Sequence, residues 1–480
     1  MNKRIILSIS GKILQVEALL MLFPAIVSLI YSEKSVWAFL ISAAITVVVG
    51  TLLTLIFKPK SDVIYAREGL ITVALAWLFM SAFGALPFYI SREIPSYVDA
   101  FFEIVSGFTT TGASILRNVE ALSRGALFWR SFTHWIGGMG VLVFITAVIP
   151  NMSDRSIHII RAEMPGPIVG KLVPKVKDTS RVLYLIYIVL TLTQIVFLLC
   201  GGLSLYDSSV LTFGTAGTGG FSMKNDSIAS FSPYVQWVIT IFMLIFGINF
   251  NLYYLIIIRR FRSAFKSEEL WTYIAIFAVS VGIITANTYS DGQNLGDTLR
   301  SSAFQVSSIM TTTGYSTADF NIWPQLSKSI LFILMLIGSC AGSTAGGIKV
   351  SRVIILFKTI RKECQRLIHP RSIRSIKFEG KALDTVTRHG VSAYLAVYAM
   401  CFFAVFLIIS IDNFSMETNI SATAACFNNI GPGFAGVGPL SNYADYSFFS
   451  KIVLSFAMLL GRLEIYPLLL AFSLKTWSRK

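Results

Sequence analysis

Residues 295–316 read LGDTLRSSAFQVSSIMTTTGYS, an amphipathic stretch of about 15 residues closed by threonines and a glycine. It is too short to cross a bilayer, which takes about 20 mostly apolar residues. Lying between long apolar runs, it reads as a half-helix that dips into the membrane and an extended return. Three other stretches have the same build: IPSYVDAFFEIVSGFTTTGAS at 94–114, LYDSSVLTFGTAGTGGFS at 205–222 and METNISATAACFNNIGPGFAG at 416–436. Aligning their glycines matches Gly112, Gly219, Gly314 and Gly431, separated by 107, 95 and 117 residues. The chain therefore reads as a fourfold internal repeat of helix, re-entrant loop and helix.

Around these dips lie ten apolar segments of spanning length, near 13–31, 36–57, 69–90, 129–150, 182–202, 234–258, 271–288, 329–358, 391–411 and 451–474. The first two form an extra hairpin, residues 1–60. The repeats then occupy 61–155, 156–265, 266–365 and 366–480. The expected fold is an all-α membrane protein of ten transmembrane helices. Composition agrees: 54% of residues are hydrophobic, 14% are charged and the mean hydropathy is +0.69, which is unlike a soluble globule. The start, MNKR before an apolar run, has the look of a signal peptide, but no small-residue cleavage site follows cleanly, so it reads as a retained first helix.

The net charge of +15 is distributed by topology and does not point to nucleic acid. With both termini cytoplasmic, the inner segments hold 30 of the 40 Lys+Arg, 11 of them in 349–389. Segment 358–389 is the longest basic run, suited to anionic lipid or to docking a cytosolic partner. The five cysteines and four histidines are dispersed, without metal-ligand spacing or a disulfide framework.

Non-helical backbone at membrane depth is tolerated only where protein buries it or water lines it. Four such loops suggest one shared lining, in which rings of carbonyl oxygens replace the water around a dehydrated cation. The strings FTTTGAS at 108–114, GTAGTGGFS at 214–222, TTTGYST at 311–317 and FNNIGPGF at 427–434 resemble the selectivity loops of the Trk/Ktr/HKT superfamily of potassium-translocating proteins. With the N-terminal hairpin, which the KtrB branch lacks, the whole chain resembles the TrkH/TrkG branch. The resemblance implies a filter made by Thr110, Thr111, Gly112, Thr218, Gly219, Thr312, Thr313, Gly314, Asn429, Ile430 and Gly431, holding potassium at its carbonyls with no covalently bound cofactor. It also implies a bacterial inner-membrane homodimer seated on a cytosolic TrkA-type ring of nucleotide-binding regulatory subunits. A serine in place of Gly112 would have implied sodium. The fourth loop departs from the triple threonine with Asn428-Asn429-Ile430, as the family's fourth loop also does.

Segment 329–358 is oddly built, with SILFILMLIG and IKVSRVIILFK flanking SCAGSTAGG. Each apolar half spans about 15 Å, half of a bilayer core of roughly 30 Å, so it reads as a broken helix. Its centre nearly matches a nucleotide P-loop, but Lys349 comes one residue late and no strand precedes it. In TrkH-like proteins the corresponding stretch is an intramembrane loop that blocks the pore, which makes Gly342, Ser343, Thr344, Ala345, Gly346, Gly347 and Lys349 the expected gate. Arg462 falls near mid-membrane, about 16 Å along the helix from Lys451. Glu464 points to another face, and the resemblance implies that Arg462 faces the pore and raises a barrier below the filter. His134 and Glu17 read as packing or interfacial residues. No Ser/His or paired-Asp arrangement supports an enzyme. A proton- or sodium-coupled symporter is the rival function, although it would use inverted repeats, whereas these all run in one orientation.

Overall fold

A computed structural model describes residues 2–59, 65–140, 176–290, 294–370 and 375–477. The N-terminal hairpin consists of Lys3–Leu20 continued by Leu22–Ile30, and of Ser35–Ile56. Its helices cross backbone to backbone: a Cβ on Gly11 would lie 2.6 Å from the Gly50 carbonyl oxygen, and one on Gly50 would lie 2.7 Å from that of Gly11.

Four helix–short helix–helix sets follow. The short helices are Tyr97–Phe108, Leu205–Gly217, Leu295–Met310 and Met416–Phe427. Their starts are fixed by side-chain caps, Ser96, Ser204, Asn294 and Ser415, each accepting a backbone N–H of the first turn. Ser123, Ser232 and Ser447 cap the long helices Arg124–Gly138, Pro233–Phe246 and Phe448–Arg462 in the same way. The chain leaves each short helix by an extended return and re-enters a helix through a short polar segment.

Among the described residues, six helices are long and apolar enough to cross a membrane, or seven when a bent pair counts as one. The reading of ten counted broken helices as single spans. Segment 329–358 is indeed two helices, Gln325–Leu336 and Val350–Ile368, around a non-helical loop. Two further breaks interrupt segments 234–258 and 451–474. Pro233–Phe246 and Phe250–Ile257 meet at 88°, where Asn249 caps the new segment. Phe448–Arg462 and Tyr466–Phe472 are separated by Glu464 and Ile465 at φ 55° and 68°, and Pro467, which has no N–H for the ladder, opens the second piece. Segment 129–150 is helical to Gly138. Residues 141–150 of it, most of the basic loop 151–181 and residues 371–374 of the longer basic run lie outside the described residues.

The packing is inverted relative to a soluble protein. Trp37, Leu29, Ile30, Met400 and Leu407 stand exposed on the outer faces, while Thr110, Thr218, Thr312 and Asn429 are fully buried at the centre. That distribution suits a lipid exterior and a polar interior.

Candidate functional site

Each short helix ends in the same backbone bend. Thr110, Thr218, Thr312 and Asn429 adopt left-handed φ of 55–56°. The residue after each, Thr111, Gly219, Thr313 and Ile430, donates its N–H five residues back, to Ser106, Gly214, Ser308 and Ala425, at 2.8–2.9 Å. This is the helix-ending arrangement glycine normally supplies. Three β-branched threonines hold it instead, an outlier conformation of the kind concentrated at functional sites.

One residue further on, Gly112, Gly220, Gly314 and Gly431 have φ of 75–99°. The glycine of the second loop at this position is therefore Gly220, and the alignment on Gly219 is out by one residue. Two adjacent glycines, Gly219-Gly220, left that register open in the sequence, and only the backbone angles close it. The corrected glycines meet the neighbouring loops in cyclic order. A Cβ on Gly112 would overlap the carbonyl oxygen of Gly219, one on Gly220 that of Thr313, one on Gly314 that of Ile430, and one on Gly431 would lie 2.7 Å from that of Thr111. The four returns thus touch, loop one to two, two to three, three to four and four to one. Every short helix directs its carbonyl end, which carries partial negative charge, into this ring.

Side chains hold the returns from behind. Thr109 and Thr111 share a hydroxyl hydrogen bond of 2.8 Å, and Thr311 and Thr313 one of 2.7 Å. The Tyr443 hydroxyl donates to the Gly431 carbonyl at 2.8 Å, and the Asn429 amide donates to Thr111 Oγ1 at 2.9 Å. Buried Arg130 pairs with Glu103 at 2.7 Å, and Glu103 accepts the Ile115 N–H at 3.0 Å. Of these groups, Glu103, Arg130 and Tyr443 were not singled out in the sequence, because nothing local marks a residue that braces a distant loop.

The loop between Gln325–Leu336 and Val350–Ile368 lies against this ring. Its neck is pinched by Gly338 N–H to the Ile348 carbonyl (2.8 Å) and Ile348 N–H to that of Leu336 (3.3 Å). Gly346 donates its N–H to Thr312 Oγ1 at 2.7 Å, and a Cβ there would overlap the Asn428 carbonyl oxygen. Ser339 Oγ donates to the Met310 carbonyl at 3.1 Å. Lys349 Nζ caps the loop from within, donating to the carbonyls of Ala345 and Gly346.

Three neighbours anchor the loop. Glu269 accepts N–H bonds from Ala341 (2.7 Å) and Ser351 (3.0 Å). At the 88° bend, Phe250 N–H donates to the Gly342 carbonyl (3.0 Å) and Cys340 N–H to that of Gly247 (3.2 Å). Arg462 donates at 2.7 Å to the carbonyls of Thr344 and Gly138, and also to that of Gly137. Its hydrogen bonds thus tie the loop to the end of helix Arg124–Gly138. Glu464 faces elsewhere, as read, and pairs with Arg352 at 2.6 Å.

A small hairpin outside the spanning segments, Lys377–Phe378 with Lys381–Ala382, docks on the start of helix Glu268–Thr288. There Glu379 accepts from the Glu269 N–H (3.1 Å) and Ser267 Oγ (2.9 Å). Neither Glu269 nor Glu379 carried a sequence signal beyond its charge. All five cysteines are free, and among the described residues no cluster of His, Cys, Asp or Glu could hold a metal.

A family model described as TrkH, cation transport protein, matches residues 36–270 and 269–480. The Trk system potassium uptake protein TrkH of Salmonella typhimurium is 34% identical over 490 residues, covering 99% of this chain and 100% of the relative. TrkG of Escherichia coli is 34% identical over 482 residues, covering 99% and 98%. The crystal structure of the potassium transporter TrkH from Vibrio parahaemolyticus matches with a TM-score of 0.88 at 30% identity, over 100% of both chains.

Proposed function

The chain belongs to the TrkH family of cation transport proteins, and from that premise we propose that it is the potassium-translocating subunit of a Trk-type uptake system. It is a multi-pass membrane protein, and its relatives are transporters, not enzymes. The observation that carries the reading is the cyclic contact of four loops built to one backbone plan.

In this reading the fourfold pseudo-symmetric repeats surround one pore within ten crossings. Carbonyls of residues 110–112, 218–220, 312–314 and 429–431 replace the water around a dehydrated potassium ion. The short helices aim their negative ends at it, and the fixed spacing of the ring disfavours the smaller sodium ion. The 337–349 loop is the gate, held under the ring by Thr312, Glu269 and Arg462. The tie of Arg462 to Thr344 makes it part of the closed state as well as a positive barrier beneath the filter. The amphipathic helix Val350–Ile368 continues from the loop into the basic segment 358–389, the surface offered to a TrkA-type ring. A homodimer, the inner membrane and cytoplasmic termini belong to the same proposal, and the positive-inside charge distribution supports the orientation.

The test is reversal potential in bilayers holding the purified protein under opposed potassium and sodium gradients. A potential that follows potassium alone supports a potassium pore. One that also follows the proton or sodium gradient at fixed stoichiometry would establish the coupled symporter instead.

A further inference from the structure

At one position the second loop lacks the side chain that the other three carry, although Tyr315 and Arg130 hydrogen-bond its Phe221 and Ser222 carbonyls. At the position before the left-handed glycine, loops one and three carry Thr111 and Thr313, each hydrogen-bonded to a threonine two residues earlier, and loop four carries the fully buried Ile430. Loop two has Gly219 there. Its φ is outside the left-handed range, so its backbone conformation does not demand glycine. The demand comes from a neighbour: the three atoms nearest a Cβ on Gly219 would be Cγ, Nδ1 and Cδ2 of His134, all overlapping it.

His134 sits on Arg124–Gly138, in the preceding repeat, and is fully buried. Its ring stacks on Phe221 with centroids 4.3 Å apart and planes at 21°. The Arg130 guanidinium lies over the Phe221 ring, 3.9 Å from its centroid, and Arg130 is held by Glu103. The His134 carbonyl also lies against Gly217, where a Cβ would overlap it. The imidazole therefore fills the space that a side chain of the second loop would otherwise take. The Gly219 carbonyl so braced is the one that packs against Gly112 in the loop-one-to-two contact.

Resting on the filter reading above, we infer that His134 is a positioning residue for ion selectivity: it supplies to the second loop, from another repeat, the brace that Thr111, Thr313 and Ile430 supply to their own loops. The glycine at 219 is then a partner of His134 and not a requirement of the pore lining. That separates it from Gly220, whose φ of 75° and contact with the Thr313 carbonyl oxygen demand glycine whatever stands at 134.

The experiment is a double-mutant cycle read by the potassium-to-sodium permeability ratio. Gly219→Ala is expected to lower the ratio on the order of tenfold, His134→Ala to lower it less, and the double variant to exceed Gly219→Ala alone. His134→Phe, which keeps an aromatic ring against Phe221, should retain most of the ratio. Gly220→Ala should stay defective with either residue at 134. Should a single variant fail to support flux, the cycle is read from the extra thermal stabilisation of purified protein by KCl over NaCl, a binding readout that needs no transport. If Gly219→Ala is harmless beside His134, or the double variant is no better than it, the inference is overturned. If the unmodified protein shows no preference for potassium, the filter reading fails before this one is reached.

Discussion

Two stretches of irregular backbone meet at the centre of the molecule and are held in different proportions by main chain and side chain. The four-loop ring is closed by its own main chain, with each left-handed glycine seated on a carbonyl of the next return. The 337–349 loop is held by side chains as well, by Glu269, Arg462 and Thr312 Oγ1 from elsewhere and by its own Lys349, beside two main-chain bonds to the 88° bend. Main-chain packing of this kind has no rotamer to change, whereas a side-chain hydrogen bond to a charged group contributes about 1.5–3 kcal/mol and can be exchanged for water. On the proposed function, this separates a fixed filter from a releasable gate. Both parts are non-helical and rich in glycine, so composition does not separate them.

The largest effect is expected at the ring. Gly314→Ser imposes a left-handed conformation that costs roughly 1–2 kcal/mol and drives a Cβ into the Ile430 carbonyl oxygen. Discrimination of potassium from sodium should fall by on the order of tenfold or more, as measured by reversal potential. Intact selectivity and flux would remove the ring from the ion path. Next in size, deleting 342–347 should raise unregulated flux several-fold and blunt the response to the nucleotide state of a TrkA-type partner, with the permeability ratio unchanged. A deletion that still closes would sink the gate. Arg462→Ala, which releases the Thr344, Gly137 and Gly138 carbonyls, should raise potassium flux by less than the deletion does. A loss of selectivity as large as the change in flux would mean that ring and loop are not separately held. The smallest effect is expected from Glu269→Gln, which keeps an oxygen for the Ala341 N–H but loses charge. Its flux in proteoliposomes should rise by less than that of Glu269→Ala, and equal values would dismiss the hydrogen bonds as the anchor.

Much of this was legible in the sequence. The four dips, the extra hairpin and the break in 329–358 follow from segment length and composition, and the structure has short helices and loops where those cues lie. The register of the second loop was hidden, because Gly219 and Gly220 are chemically identical and differ only in φ. Two helix breaks were hidden as well: Gly247-Ile248-Asn249 and Leu463-Glu464-Ile465 interrupt apolar runs that are otherwise long enough to span. Bracing residues were the least visible. His134 reads in the sequence only as a packing or interfacial residue, and Glu269 carries no signal beyond its charge. Their roles depend on contacts 85 and 72 residues away, at Gly219 and Ala341, which no local pattern encodes.

The joints of the ring are made from four different residue pairs: Gly112 with Gly219, Gly220 with Thr313, Gly314 with Ile430, and Gly431 with Thr111. In an assembly of four identical subunits, any change at such a joint would be copied four times and its defect multiplied. Here one codon changes one joint and leaves three as they were. The ring can therefore be altered in quarter steps, and variants at the four positions, combined one by one, form a dosage series running from a single altered joint to all four.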